Sequence, residues 1–160
     1  MTVSVPKSIK FVITDFDGII TDNCVYIDSK GDFSRKINFK DIMAFSILKK
    51  SGYKVGIISG EKNAAIDKIS DTFKIDEVFQ NIRTKIDVLK QIVTKYKLNE
   101  DEFIYIGDDI NDYDSLIFAK HAYTVPNAVD KIKSINGIHI TESRGGDGAF
   151  REIVDCLLKD

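Results

Sequence analysis

Long apolar runs are missing from this chain: none approaches the roughly 18 residues that would cross a bilayer, and the opening stretch, Met1 to Lys7, is short and polar. A cytoplasmic protein with no membrane partner is expected. Cysteine is scarce, and Cys24 and Cys156 stand far apart with no partners at metal-ligand spacing. That argues against a disulfide framework and a zinc site, and leaves two reduced thiols. There is no basic run and no interleaving of basic with aromatic residues, so nothing supplies the phosphate-neutralising surface a nucleic acid needs. Internal repeats, low-complexity segments and linkers are absent too. One domain over residues 1–160, with one active site, is the expectation. The two histidines, His121 and His139, have no fixed partner in the pattern and are expected in surface or packing roles.

What is present is an ordinary globular composition: 43% hydrophobic and 30% charged residues, with a net charge of -2, which excludes disorder. Ile9 to Thr14 is β-branched and aromatic and stops at acidic residues, as a buried first strand would. Cys24–Ile27 and Phe33–Phe39 flank the turn-forming Asp28–Asp32, predicting a β-hairpin that projects from the sheet. After it come a helix over Ile42–Lys50, a strand over Lys54–Ser59, a helix over Asn63–Phe73 and a strand over Glu77–Phe79. Ile86, Leu89, Val93 and Tyr96 then share a helical face, Phe103–Ile106 is apolar strand, and Phe150, Ile153, Val154, Leu157 and Leu158 form a final stripe. Such alternation predicts an α/β fold, a Rossmann-like parallel sheet flanked by helices, whose ligands bind beyond the carboxyl ends of the strands.

Those strand ends are where the chemistry collects. Asp15-Phe16-Asp17-Gly18 follows the first strand directly, placing two carboxylates on a tight loop. Taken alone, such a pair is equally a turn or a helix cap with solvated acids. A second acidic run, Gly107-Asp108-Asp109-Ile110-Asn111-Asp112, follows Phe103–Ile106 and can converge on the same sheet edge. Clustered carboxylates repel, and a hard divalent cation, Mg²⁺, is the usual resolution. Between the two runs, Ser59-Gly60 ends a strand and Lys85 opens a helix, so a hydroxyl and an ammonium complete a phosphate site. Asp109, Asn111 and Asp112 divide between assisting the metal and capping the next helix, and for Asp112 the two readings stand level.

This order of motifs resembles the haloacid dehalogenase superfamily. The resemblance implies a phosphatase in which Asp15 is the nucleophile, Asp17 the general acid and base, and Ser59 and Lys85 the groups that hold the phosphoryl oxygens. Asp15, Asp17 and Asp108 would form the Mg²⁺ site. The intervals Asp17–Ser59 and Lys85–Asp108 leave no room for a cap domain, so the enzyme is expected to be capless, with the exposed hairpin as a subunit interface.

At subfamily level nearly the whole chain is similar to phosphatases of 3-deoxy-D-manno-octulosonate 8-phosphate, which act in lipopolysaccharide biosynthesis. The stretches that carry the likeness are Asp15–Asp22, the hairpin, Gln80–Lys85, Gly107–Asp112 and Arg144–Glu152. It implies a homotetramer joined through the hairpins, and a substrate contacted by Ser59, Gly60, Glu61 and Lys85, with Arg144, Gly145 and Gly146 closing over a neighbouring subunit's site. An arginine fork suits a carboxylate. Without the likeness, Arg144-Gly145-Gly146 reads as a flexible surface loop. Gly60-Glu61 stands where these enzymes typically have Gly-Arg and is similar to phosphatases of nine-carbon, sialic acid-like nonulosonate 9-phosphates, whereas Thr72 stands where those carry lysine. Lys40-Asp41-Ile42 and Thr21-Asp22-Asn23 replace the usual Arg-Asp-Gly and Thr-Asp-Gly. A receiver domain also uses acids, a hydroxyl, a lysine and Mg²⁺, but it carries its acidic pair after strand one and its phosphorylated aspartate after strand three. A catalytically silent regulatory copy would be expected to lose Asp15, Asp17 or Asp108, and all three are present.

Overall fold

Residues 5–159 are described by a computed structural model; the first residues of the Met1–Lys7 stretch lie outside them. The elements are β1 (Phe11–Thr14), β2 (Tyr26–Ile27), β3 (Phe33–Ser34), α1 (Phe39–Lys50), β4 (Lys54–Ile58), α2 (Ala64–Phe73), β5 (Glu77–Phe79) and α3 (Lys85–Tyr96). β6 (Phe103–Ile106), a 3₁₀ turn (Ile110–Asp112), α4 (Tyr113–Phe118), β7 (His121–Thr124), α5 (Asp130–Lys133), β8 (His139–Ile140) and α6 (Ala149–Leu157) complete the order. β1 and β6 are buried at every position, as strands covered on both faces must be.

Six parallel strands run in the order β5-β4-β1-β6-β7-β8. The chain moves outward from β1 through β4 to β5, then crosses back to β6 and continues to β7 and β8. Right-handed crossovers therefore place α1 and α2 on one face and α3 and α4 on the other. The packing agrees, because α1 contacts α2 and α6 while α3 contacts α4. The α/β fold expected from the sequence is the one observed, and no cap domain stands between Asp17 and Ser59 or between Lys85 and Asp108.

Three local expectations shift. The hairpin arms pair over only two residues each, because Asn38 caps α1 by accepting the Lys40 amide at 2.9 Å and Phe39 starts the helix instead of ending a strand. In α3 the fully buried residues are Lys85, Val88, Leu89 and Ile92, while the expected Ile86, Val93 and Tyr96 flank them, partly buried against the same core. The inward face is broader than the expected stripe because it also takes in a charged residue, Lys85, that periodicity counts as outward. Similarly, Phe150, Ile153, Val154 and Leu157 of α6 are buried, but Leu158 lies past the helix end and is exposed. Cys24 and Cys156 are free thiols, His121 pairs with Asp101 at 3.1 Å, and His139 stacks on Tyr123.

α6 is part of the core and is held by a buried acid. Asp41, in the first turn of α1, accepts the amides of Gly148 (3.0 Å) and Arg151 (2.9 Å), so the start of α6 is capped by another helix. Phe45 of α1 packs on Phe150 of α6 beside this cap, with ring centroids 4.7 Å apart. Replacing Asp41 with Ala should therefore strand two amide donors in the interior. The expected loss is about 2 kcal/mol of unfolding free energy, read by urea denaturation; an unchanged midpoint would show that water replaces the carboxylate at no cost.

Candidate active site

Parallel register brings three loops to one edge. Thr14 of β1 lies opposite Ile57 of β4 and Ile106 of β6, so Asp15, Ser59 and Asp108 leave the sheet side by side. The Asp15 amide donates to the Ile106 carbonyl (2.8 Å), and its Oδ1 accepts the Phe16 amide (2.6 Å). Gly18 follows in the left-handed region at φ +90°, and any Cβ there would run into the Asp108 carboxylate. The glycine is what lets the two acidic loops touch.

Beneath them lies Lys85, whose side chain is 0% exposed. Its Nζ sits 2.8 Å from Asp15 Oδ1 and 2.8 Å from Asp112 Oδ1. Asp112 is occupied on both oxygens: Oδ1 also accepts the Tyr105 hydroxyl (2.7 Å), and Oδ2 accepts the amides of Asp108 (3.2 Å) and Asp109 (3.3 Å). Of the two roles left open for Asp112, capping is the one observed: it closes the 3₁₀ turn as a capping box with Asp109, and it also anchors Lys85, a role the sequence did not suggest. Asp109 itself caps the turn through the Ile110 amide (2.7 Å). Asn111 is exposed, with its amide against Gly60.

Carboxylate oxygens of Asp15, Asp108 and Asp112 lie within 4.8 Å of one another. Three buried acids against one buried ammonium leave two formal negative charges, and Asp108 Oδ1 is buried with no hydrogen-bond partner. A hard divalent cation fits both the charge and the orphaned oxygen. The imbalance sets the proton affinities. Burial, then the neighbouring Asp112, pushes the Asp15 carboxyl well above the usual carboxylate range. Burial, then Asp112 and Asp109, pushes Asp108 up to about 7. Burial alone would depress the Lys85 ammonium, but Asp15 and Asp112 more than offset it and raise its pKa.

Asp17 stands apart from this trio. Its Oδ1 accepts the Thr21 hydroxyl (3.0 Å) and lies 3.0 Å from Nε of Arg35, which the hairpin folds back over the loop. Its nearest charged partner is thus a guanidinium, not one of the clustered acids. Asp15, Asp17, Ser59, Gly60, Glu61, Asp108, Asp109 and Asn111 all line one open cavity of about 510 Å³, with Lys85 and Asp112 below its floor. Gly145 and Gly146 do not line it. They are buried against the chain's own Gly18–Asp22 loop, where a Cβ would strike backbone; the Gly146 amide donates to the Ile19 carbonyl (2.9 Å) and the Gly145 amide to Asn127 Oδ1 (2.9 Å). Their smallness serves that close approach, so this segment is pinned and not a loose loop. Arg144 is exposed and outside this chain's cavity. Sequence reasoning did not single out Arg35 or Arg83, which also line the cavity. Arg35 carries no sequence signal; Arg83 had one, a cation on the loop just before the motif lysine.

Comparison with known proteins agrees with this geometry. The haloacid dehalogenase-like hydrolase family matches residues 38–124, more than half of the chain, and the chain belongs to that family. The 3-deoxy-D-manno-octulosonate 8-phosphate phosphatase of Haemophilus influenzae is 26% identical over 96% of this chain and 84% of its own length. A crystal structure of the Moraxella catarrhalis phosphatase of the same name, in complex with magnesium, phosphate and KDO, superposes with a TM-score of 0.88 at 29% identity, covering 95% of this chain and 87% of that one. A superfamily hydrolase of subfamily III A from Legionella pneumophila gives the same TM-score at 32% identity, covering 95% and 83%.

The raised Asp108 value carries a sign. Below about 7 a proton occupies the carboxyl that a cation needs, so cation affinity is full above that pH and falls as pH drops through it. Calorimetric titration with Mg²⁺ should give binding about tenfold weaker at pH 6 than at pH 8, the factor one proton at such a value imposes. Equal affinity at both would mean that Asp108 is not a ligand.

Proposed function

Starting from that membership, we propose that the chain is a Mg²⁺-dependent phosphatase of a 3-deoxy-ulosonate phosphate, with 3-deoxy-D-manno-octulosonate 8-phosphate as the first candidate. The observation that carries this reading is the buried Lys85 between Asp15 and Asp112, under a cavity open to solvent on the side of Asp15 and Ser59. The likeness to the Haemophilus and Moraxella phosphatases supplies the substrate class.

In this reading Asp15 attacks phosphorus, forming a bond from its carboxylate oxygen as the ester P–O bond breaks. Asp17 delivers a proton to the departing sugar oxygen. Asp17 then takes a proton from water as that water attacks the aspartyl-phosphate, and phosphate leaves with Asp15 restored. Lys85 and the Ser59 hydroxyl hold the phosphoryl oxygens, whose charge the ammonium balances in transit. Asp15 and Asp108, with Asp112 behind them, would hold Mg²⁺, which when bound offsets the repulsion between an anionic nucleophile and an anionic ester. Arg35 and Thr21 fix one oxygen of Asp17, so the other is the one available to the leaving group.

Val25, Tyr26, Ile27 and Phe33 of the hairpin are all about half exposed or more. Such an apolar strip supports the reading that the hairpin joins copies of the chain, in a homotetramer, and narrows the open cavity. Glu61 on the cavity wall keeps the nine-carbon substrate as the second reading.

The deciding experiment is phosphate release from the octulosonate 8-phosphate and a nonulosonate 9-phosphate, side by side with Mg²⁺. A tenfold advantage in kcat/KM for the eight-carbon ester, about 1.4 kcal/mol of transition-state binding, is the expected result. The reverse preference would assign the nine-carbon acid, and no release from either would end the reading. Asp15→Asn should abolish turnover while leaving the unfolding transition in place; retained turnover would remove the covalent step.

A further inference from the structure

The cavity wall holds more acid than a doubly anionic substrate can tolerate unless cations are free to meet both of its ends. Its acidic lining includes Asp15, Asp17, Glu61, Asp108 and Asp109, and its cations are Arg35 and Arg83 at the wall and Lys85 below. Two of these are already engaged. Lys85 is shared between Asp15 and Asp112, and Arg35 is paired with Asp17 at 3.0 Å. Arg83 is exposed and has no hydrogen bond or ion pair to any described residue.

The loop that presents Arg83 is not slack. Gln80 is clamped at both ends of its amide, accepting the Asn63 amide at 2.8 Å and donating to Asp67 at 2.6 Å. Asn81 takes a left-handed conformation at φ +58°, which turns the chain, and the Ile82 amide donates to the Ser59 carbonyl at 3.0 Å. The loop thus rests on the phosphate-binding strand end, then runs through Arg83 into Lys85 at the start of α3. The fixed backbone delivers an unspent guanidinium to the cavity wall, so binding an anion costs the ordering of one side chain and not of the loop as well.

We propose that Arg83 receives the carboxylate end of the substrate and is the residue by which this chain selects sugar-acid phosphates over neutral phosphate esters. The assignment rests on the reading of the preceding subsection. Phosphate is drawn to the floor, where Asp15, Ser59 and Lys85 converge, so the carboxylate at the far end of the same molecule lies toward the rim. A planar guanidinium presents paired donors in the fork that a carboxylate accepts. Arg144 lies outside the cavity of its own chain, whereas Arg83 is supplied in cis.

The test compares the wild-type protein, Arg83→Gln, Arg83→Lys and Arg144→Gln on two substrates, the octulosonate 8-phosphate and p-nitrophenyl phosphate. For Arg83→Gln the loss in kcat/KM should be at least tenfold larger on the sugar acid than on the aryl ester and should fall mainly in KM. Arg83→Lys should recover part of the difference, since the charge returns without the fork. An equal loss on both substrates would make Arg83 a phosphate-side or structural residue and overturn the assignment. A selective loss in Arg144→Gln but not in Arg83→Gln would give the carboxylate to Arg144. If the wild-type protein itself fails on the sugar acid while cleaving the aryl ester, the substrate class falls first and Arg83 with it, and that failure is read from the wild type alone.

Discussion

Burying an ammonium beneath a catalytic edge is the constraint on which the rest of this structure depends. An isolated charge taken out of water costs several kcal/mol even after relaxation, so Lys85 can be 0% exposed only because Asp15 and Asp112 each approach it to 2.8 Å. That requirement fixes distant parts of the fold relative to one another. Asp15 ends β1, Lys85 begins α3, and Asp112 closes the turn after β6, so the ion pairs tie the central strand, its neighbour and a helix of the covering layer at one point. Tyr105, inside β6, adds its hydroxyl to the same Asp112 oxygen, and burial followed by that carboxylate's charge raises its own pKa well above the usual phenol range. A phenol that stays protonated is a dependable donor there.

The cluster is deliberately out of balance. A buried triad with matched charges would be a structural staple and little more. Here the acids exceed the base, Asp108 Oδ1 has no partner, and burial, then the neighbouring carboxylates, raises the proton affinities of Asp15 and Asp108. The fold has stored repulsion at the place where a cation relieves it. The glycines beside the cluster have the same logic. Gly18 has no Cβ because Asp108 must come within contact of the first loop, and Gly145 and Gly146 have none because the C-terminal segment must lie against the far side of that loop. Backbone is packed on both sides of the Asp15–Gly18 loop, which limits how far Asp15, the proposed nucleophile, can drift.

The helix-flanked parallel sheet and the convergence of Asp15, Ser59 and Asp108 were legible in the sequence because they follow from two strong signals, the alternation of strands with helices and the position of acids directly after strands. What was not legible came from side chains acting against their type. Lys85 faces inward, so the periodicity of α3 found the edge of the buried face and missed its centre at Lys85, Val88 and Ile92. Phe39 suits a strand but is recruited into α1 by the Asn38 cap. Asp112 reads in sequence as a cap or a metal-assisting acid; one oxygen serves the turn, and the other serves Lys85, a partner 27 positions away that no local pattern suggests. Arg35 could not be placed at all, because its partner Asp17 lies 18 positions earlier and no local pattern joins them.

That last pair alters how the hairpin should be understood. Two residues of pairing in each arm do not stabilise a hairpin alone; this one is anchored by the single bridge between Thr21 and Ile37 and by Arg35 at Asp17. Both anchors meet the same carboxylate, since the Thr21 hydroxyl and the Arg35 guanidinium share Asp17 Oδ1. Whatever holds the apolar faces of Tyr26, Ile27 and Phe33 therefore also holds the orientation of Asp17, the proposed acid and base. In a capless fold the base of the hairpin contributes Asn23, Cys24, Val25 and Arg35 to the cavity lining, and its position is coupled to Asp17 through a contact about one-fifth exposed. The alignment of Asp17, the proposed proton donor, therefore depends on one short ribbon being held in place.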